Sequence, residues 1–217
     1  MTLSAIEALA RLQEGNRRFA DDLRDHKSLK SERRRTELIQ RQDPFAIILG
    51  CSDSRVPAEL VFDQGLGDLF VIRVAGNIVA PSQVGSVEFA ADRFRTRLVV
   101  VLGHSNCGAI SATIEQLRQP SNAQSPNLRS IVERVRPSVE PLMATDLKDD
   151  QEALIHHAVR ANIQASASHL RHGSTILEQL IMDDGLLVVG AEYSLTTGVV
   201  EFFDGVPQLE GGIALPQ

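Results

Sequence analysis

Two short stretches carry residues that could do chemistry together. The first is Cys51-Ser52-Asp53-Ser54-Arg55; the second, well downstream, is Gly103-His104-Ser105-Asn106-Cys107-Gly108. In an extended segment Cys51, Asp53 and Arg55 alternate onto one side, so a thiol, a carboxylate and a guanidinium share an edge. Two cysteines and one histidine suit Zn²⁺ in tetrahedral geometry. The fourth position then decides the chemistry. If water takes it, the metal lowers that water's pKa toward about 7. If Asp53 takes it, the site is closed. Arg55 competes for Asp53, which suggests a dyad: Arg55 holds Asp53 off the metal, and Asp53 accepts a hydrogen bond that aims the attacking oxygen.

The elements around these stretches must bring them together. Phe45-Ala46-Ile47-Ile48-Leu49 precedes the first motif and Leu98-Val99-Val100-Val101-Leu102 the second. Both are short, continuous apolar runs of the kind that form buried strands. Parallel strands of an α/β sheet present their following turns at one carboxyl edge, where ligands bind. A helical pattern from Gly108 to Leu117 puts Cys107 at a helix N-terminus, where amides and the helix dipole favour a thiolate.

Composition narrows the class. The chain has 217 residues, 43% of them hydrophobic, which suits one domain with a sizeable core. Its net charge of −6 speaks against a nucleic-acid surface, so any anion must be held locally, by groups such as Arg55 or Arg73. Glu7, Arg11 and Glu14 interrupt the N-terminal apolar residues, unlike an export signal. No apolar run approaches the roughly 20 residues a membrane helix needs. The expectation is a cytoplasmic protein, where a lone cysteine pair is more often a metal or redox site than a disulfide.

Along the chain, Ser4-Ala5-Ile6-Glu7 predicts a capping box opening a helix with an apolar stripe at Leu9, Leu12, Phe19 and Leu23. A loop is expected over Asp25 to Leu29 and a second helix over Ser31 to Gln40, its run Arg33-Arg34-Arg35 facing solvent. Pro57 to Phe62 predicts a short helix, Leu69 to Val74 a second strand, and Ser86 to Phe94 another helix. A polar loop over Pro120 to Asn127 and a short helix from Leu128 to Val135 come next, with Pro137 and Pro141 breaking the chain beyond. Asp149 to Leu170 is the longest helical pattern, then Ser174 to Met182. Leu186 to Ala191 and Gly198 to Phe203 are strands close enough for a hairpin, and the tail after Gly205 is expected to be poorly anchored. The alternation predicts an α/β fold: a mostly parallel central sheet, flanking helices, an antiparallel edge strand and an N-terminal helical arm.

Cys-x-Asp-x-Arg followed by His-x-x-Cys resembles the β-class carbonic anhydrase family. The likeness extends through Pro57-Ala58-Glu59-Leu60, Gly67-Asp68-Leu69-Phe70-Val71 and on to Asn77, and covers roughly Ala5 to Phe203. It implies reversible hydration of CO2 to bicarbonate, with one zinc per subunit on Cys51, His104 and Cys107 and Asp53–Arg55 as catalytic dyad. It also implies a homodimer, often paired into tetramers, with residues 1–40 of a single domain packing on the partner. Gln42, Gly108, Phe70 and Phe89 match substrate-binding positions, Gln42 often serving the partner's site. Some closed-form members carry a regulatory bicarbonate pocket; Arg73 and Tyr193 match it, but its tryptophan position is Ile48 here. An open site, or one that switches with pH, is therefore expected. The same ligands would also serve a zinc hydrolase of carbonyl sulfide or carbon disulfide, or a non-catalytic zinc-stabilised bicarbonate-binding dimer.

Overall fold

The computed structural model describes residues 3–23, 32–120 and 125–207. In chain order the elements are α1 (Ala5–Ala20), α2 (Glu32–Leu38), β1 (Ala46–Gly50), α3 (Ala58–Val61), β2 (Leu69–Arg73), α4 (Pro81–Arg93), β3 (Leu98–His104), α5 (Gly108–Arg118), α6 (Pro126–Met143), α7 (Gln151–His172), α8 (Thr175–Asp183), β4 (Leu187–Tyr193) and β5 (Val200–Asp204). One five-stranded sheet runs in the order β2-β1-β3-β4-β5. Its first three pairings are parallel and β4–β5 is antiparallel. Every residue of β1 and β3 is buried, as expected of parallel strands covered on both faces.

Alternation along the strands separates two cores. Ile47, Leu49, Val99 and Val101 face a layer that includes Val87 of α4, Ile110 of α5, Val135 of α6, Ile163 of α7 and Leu177 of α8. Ile48, Val100 and Leu102 face the other way, toward Leu9 and Leu12 of α1 and Val61 of α3. On the first side α7 lies close to the sheet because two strand residues lack side chains. A Cβ on Gly103 would stand 2.5 Å from Ile163 Cδ1, and one on Gly190 2.8 Å from its Cγ2.

The first helix begins as its sequence predicts. Ser4 Oγ accepts from the Glu7 amide at 3.3 Å, and Glu7 Oε2 accepts from the Ser4 amide at 2.8 Å. Its stripe is covered by its own chain as far as Phe19: Leu9 and Leu12 are buried on the sheet, and the Phe19 ring lies 6.2 Å from that of Tyr193. Asn16 locks the contact, donating to the Val61 and Gly198 carbonyls and accepting from the Val200 amide. Leu23, expected to continue the stripe, lies beyond the helix end at Ala20 and is 65% exposed. Arg34, from the basic run, donates to the Leu66 carbonyl and to Asp68, docking α2 on the turn that also receives Arg11.

Two expectations need correction. The helix expected from Ser86 begins at Pro81, because proline is well suited to the first helical position. The helix expected to end at Val135 runs on to Met143, through Pro137 and Pro141. Each internal proline costs about 3 kcal/mol, and burying Val132, Val135 and Val139 offsets that at roughly 1.5–3 kcal/mol each. The loop expected at Asp25–Leu29 and most of the expected tail lie outside the described residues.

Candidate metal centre and active site

The chain reverses direction across the sheet at β1, which leads to β2 on one side and, later, to β3 on the other. The crevice at the carboxyl ends of β1 and β3 is therefore the topological switch point, where α/β sheets bind ligands. Cys51 follows β1, His104 ends β3, and Cys107 caps α5 just beyond. Asn106 takes a left-handed conformation at φ 54°, and this tight turn brings Cys107 back toward His104.

The ligand atoms of Cys51, His104 and Cys107 all lie within 4.8 Å of one another, and all three residues are buried. Zinc bonds of about 2.3 Å to sulfur and about 2.0 Å to nitrogen require such a grouping. The His104 ring fits as well. Its Nδ1 is 2.9 Å from the Ser105 carbonyl, which can only accept, so Nδ1 carries the proton and Nε2 keeps its lone pair. That Nε2 is buried with no hydrogen-bond partner, an orphan that a metal would satisfy. The sulfurs point the same way. A hydrogen bond from Cys107 pulls Cys51 well below the usual thiol range, and the same bond, with burial, pushes Cys107 above it. Two thiolates this close require a cation.

Asp53 and Arg55 meet in a forked pair. Arg55 Nε is 2.9 Å from Asp53 Oδ1 and Nη2 is 2.7 Å from Oδ2, and the Arg55 amide adds a third bond at 3.0 Å. These bonds hold the Asp53 carboxyl well below the usual carboxylate range. Asp53 Oδ2 stands 3.8 Å from His104 Nε2, at the rim of the ligand group. Arg73 is committed differently from a free anion receptor: its Nε and Nη2 donate to the Cys51 and Asp53 carbonyls at 3.0 and 2.6 Å, clamping the loop that bears both. Tyr193 is buried against Phe19, so neither residue is available as expected of a regulatory pocket.

The remaining candidates fall into two places. Gly108 opens α5 beside Cys107, and a Cβ there would meet nothing within 4 Å. Gln42 precedes β1, at the opposite end from Cys51; the five strand residues alone span roughly 17 Å. Gln42 cannot reach its own chain's ligand group. It lines a surface hollow with Leu38, Arg93 and Phe94. Phe94 in turn packs with Phe70 and Phe89, ring centroids 6.0 and 5.5 Å away. Gln42, Phe70 and Phe89 thus form one patch, joined by Phe94, and Phe89 is 53% exposed. Phe94, the Arg73 clamp and the amide of Gly76, 3.3 Å from Cys51 Sγ, were not distinguished by sequence spacing.

Fold and site together define an α/β protein with a buried Cys2His group fit for a metal ion. The sequence profile of the carbonic anhydrase family matches residues 46–200. The carbonic anhydrase of Mycolicibacterium smegmatis is 38% identical over 90% of this chain and 92% of its own. Carbonic anhydrase 2 of Mycobacterium tuberculosis is 36% identical over 89% and 90%. The β-carbonic anhydrase CcaA superposes with a TM-score of 0.72 at 26% identity, covering 92% of this chain and 93% of that one. One of two tetrameric β-carbonic anhydrases of Sordaria macrospora shares the fold at a TM-score of 0.69 and 23% identity, over 77% and 84%. The chain belongs to the β class of the carbonic anhydrase family, which are carbonate dehydratases. Among the described residues no helix is long and apolar enough to cross a membrane.

Proposed function

We propose that the protein is a zinc carbonic anhydrase that hydrates CO2 to bicarbonate and a proton, and runs the reverse reaction. The observation that carries this reading is the convergence of Cys51, His104 and Cys107 beside a carboxylate already held by arginine. Zinc bound by those three residues supplies Lewis acidity that brings the ionisation of a water into the neutral range. Asp53, kept ionised by Arg55, accepts a hydrogen bond from the attacking oxygen and so aims its lone pair at the carbon of CO2. Arg55 occupies both carboxylate oxygens, which favours an open fourth position over closure by Asp53. Gly108, the first residue of α5 after Cys107, would offer its amide to a bicarbonate oxygen.

We further propose a homodimer in which Gln42, Phe70 and Phe89 of one subunit line the cleft of the other. The patch is remote from its own ligand group, has an exposed aromatic face, and lies beside β2, an edge strand of the sheet. CO2 is apolar, so a phenylalanine wall suits it. The N-terminal arm, residues 1–40, would pack on the partner with the surface its own sheet does not cover, including, among its described residues, Ile6 at 39% and Ile39 at 75% exposure. Pairing of such dimers would give tetramers. Two free, buried cysteines fit a reducing, cytoplasmic setting.

The test is stopped-flow CO2 hydration from mildly acidic to mildly alkaline pH, with zinc content measured on the same preparation. Zinc near one per subunit and a hydration rate far above buffer are expected. Zinc-loaded protein without hydration, or without oxygen exchange between CO2 and water, would overturn the reading.

A further inference from the structure

The Ala75–Asn77 turn leaves β2 in an unusual conformation. Gly76 has φ 70° and ψ 19°, and Asn77 follows at φ 42°, so two successive residues are left-handed. Such backbone persists only where its surroundings over-determine it. Gly76 suits the position, because an added Cβ would be strained at this φ and would lie 3.0 Å from the Ala109 Cβ and 3.4 Å from Val135 Cγ2. The curl aims the Gly76 amide at Cys51 Sγ, 3.3 Å away.

The groups that hold the curl are on another element. Asn162 Nδ2 donates to the Gly76 carbonyl at 2.8 Å, and Ser166 Oγ donates to the Asn77 carbonyl at 3.0 Å. The two are one turn apart on α7, so they project together. Both are buried, at 2% and 5% exposure, and their side chains donate to the turn rather than to a ligand atom. Each carbonyl fixes the rigid peptide plane that follows its own residue. The Gly76 amide lies in the plane before, joined to these through the left-handed φ and ψ of Gly76, so anchoring the carbonyl side of the curl restrains the amide as long as that conformation holds.

We propose that Asn162 and Ser166 are positioning residues for the metal centre, acting across 86 and 89 residues of chain to keep the Gly76 N–H donating to Cys51 Sγ. The inference rests on Cys51 being a metal ligand. A donor on a ligating sulfur draws electron density from it and fixes its lone pairs, as outer partners do for metal-bound histidines and carboxylates. The loss of either α7 donor frees the turn, and the sulfur loses its partner although no ligand has been touched.

The variants are Asn162→Ala and Ser166→Ala, with Ser166→Thr keeping the hydroxyl and Ser138→Ala as a nearby buried serine whose hydroxyl makes no hydrogen bond. Three readouts apply: zinc release to a chelator, the thiolate-to-cobalt charge-transfer band of the Co²⁺ form, and hydrogen exchange of the Gly76 amide in metal-free protein. Asn162→Ala and Ser166→Ala should release zinc roughly tenfold faster or more. Their cobalt band should move to longer wavelength, and Gly76 exchange should accelerate. Ser166→Thr and Ser138→Ala should stay near wild type. If Asn162→Ala does not fold, Ser166→Ala, a single deleted hydroxyl, carries the same test. Unchanged Gly76 exchange in the folded variants, or an equal response from Ser138→Ala, would overturn the proposal. Wild-type protein that takes up neither zinc nor cobalt would overturn the functional reading instead, and the exchange measurement would still decide whether α7 holds the turn.

Discussion

Arg55 grips Asp53 by both carboxylate oxygens, at 2.9 and 2.7 Å, while the same carboxylate stands 3.8 Å from the His104 ring. The carboxylate is thus oriented from one side and exposes its other side to the site. Asp53→Asn removes the charge, turns one of the two acceptor oxygens into an NH2 donor and keeps the shape. It should lower CO2 hydration by roughly 10²-fold or more with zinc content unchanged. Arg55→Ala should lose activity similarly and regain part of it when guanidinium is added to the assay. Undiminished hydration in zinc-replete Asp53→Asn would remove the role assigned to that residue.

The same pair sets an acid limit to stability. The folded pKa of Asp53 is depressed, chiefly by the Arg55 hydrogen bonds. Its stabilising contribution is therefore complete above the unfolded value of about 3.9 and disappears as pH falls through the lower folded value. Melting temperature followed from neutral to strongly acid pH should fall less steeply below about pH 4 in Asp53→Asn than in wild type. Parallel curves for the two proteins would show that the pair is not linked to folding.

Metal removal should be felt by the fold as well as by activity. His104 Nε2 would be left buried and unpartnered, and the two sulfurs could not both ionise. Chelator-treated protein should melt lower, and zinc at about a thousand times its dissociation constant should restore about 4 kcal/mol. Cys51→Ser should show little of that recovery. Differential scanning calorimetry with and without zinc measures both.

Gly15 marks where α1 crosses α3. A Cβ there would come within 1.9 Å of the Phe62 carbonyl oxygen, which is backbone and cannot swing aside. Gly15→Ala should destabilise by about 1–3 kcal/mol, although alanine favours a helix by about 1 kcal/mol over glycine. Urea denaturation reads the sign. A stabilised variant would mean that α1 does not dock on its own sheet.

If Gln42 serves the neighbouring subunit, defects at Gln42 and Asp53 should complement. Gln42→Ala and Asp53→Ala, each impaired alone, should recover about a quarter of wild-type activity when subunits are mixed equally, since half the dimers then hold one intact site in two. Mixed subunits no more active than the average of the two variants would place Gln42 outside the partner's cleft.

The metal ligands were legible because their signal is local. Apolar runs end at Gly50 and near Gly103, and Cys51, His104 and Cys107 follow at once, so strand order alone brings them to one edge. The dyad was legible for the same reason, being two residues apart. Asn162 and Ser166 were not, because their partners are main-chain carbonyls on a distant turn, and any asparagine or serine can make such bonds. The prolines of α6 misled because their local cost is plain in the sequence, whereas the burial of Val135 and Val139 that offsets it depends on α5 and α7. Likewise the stripe on α1 announced that it needed cover but not whose. Asn16, which ties it to Val61 and Val200 of its own chain, carries no pattern at all.

Ile163 fills the room that Gly103 and Gly190 leave on adjacent strands. These three positions cannot drift independently through descent. An alanine at either glycine becomes tolerable only after residue 163 has shrunk, and a shrunken residue 163 leaves a void until one glycine has grown. Because Asn162 is its neighbour on the same helix, any lineage that takes this route must shift the helix without lifting that amide from Gly76. Relatives with a bulkier residue at either glycine should therefore carry a smaller one in place of the isoleucine.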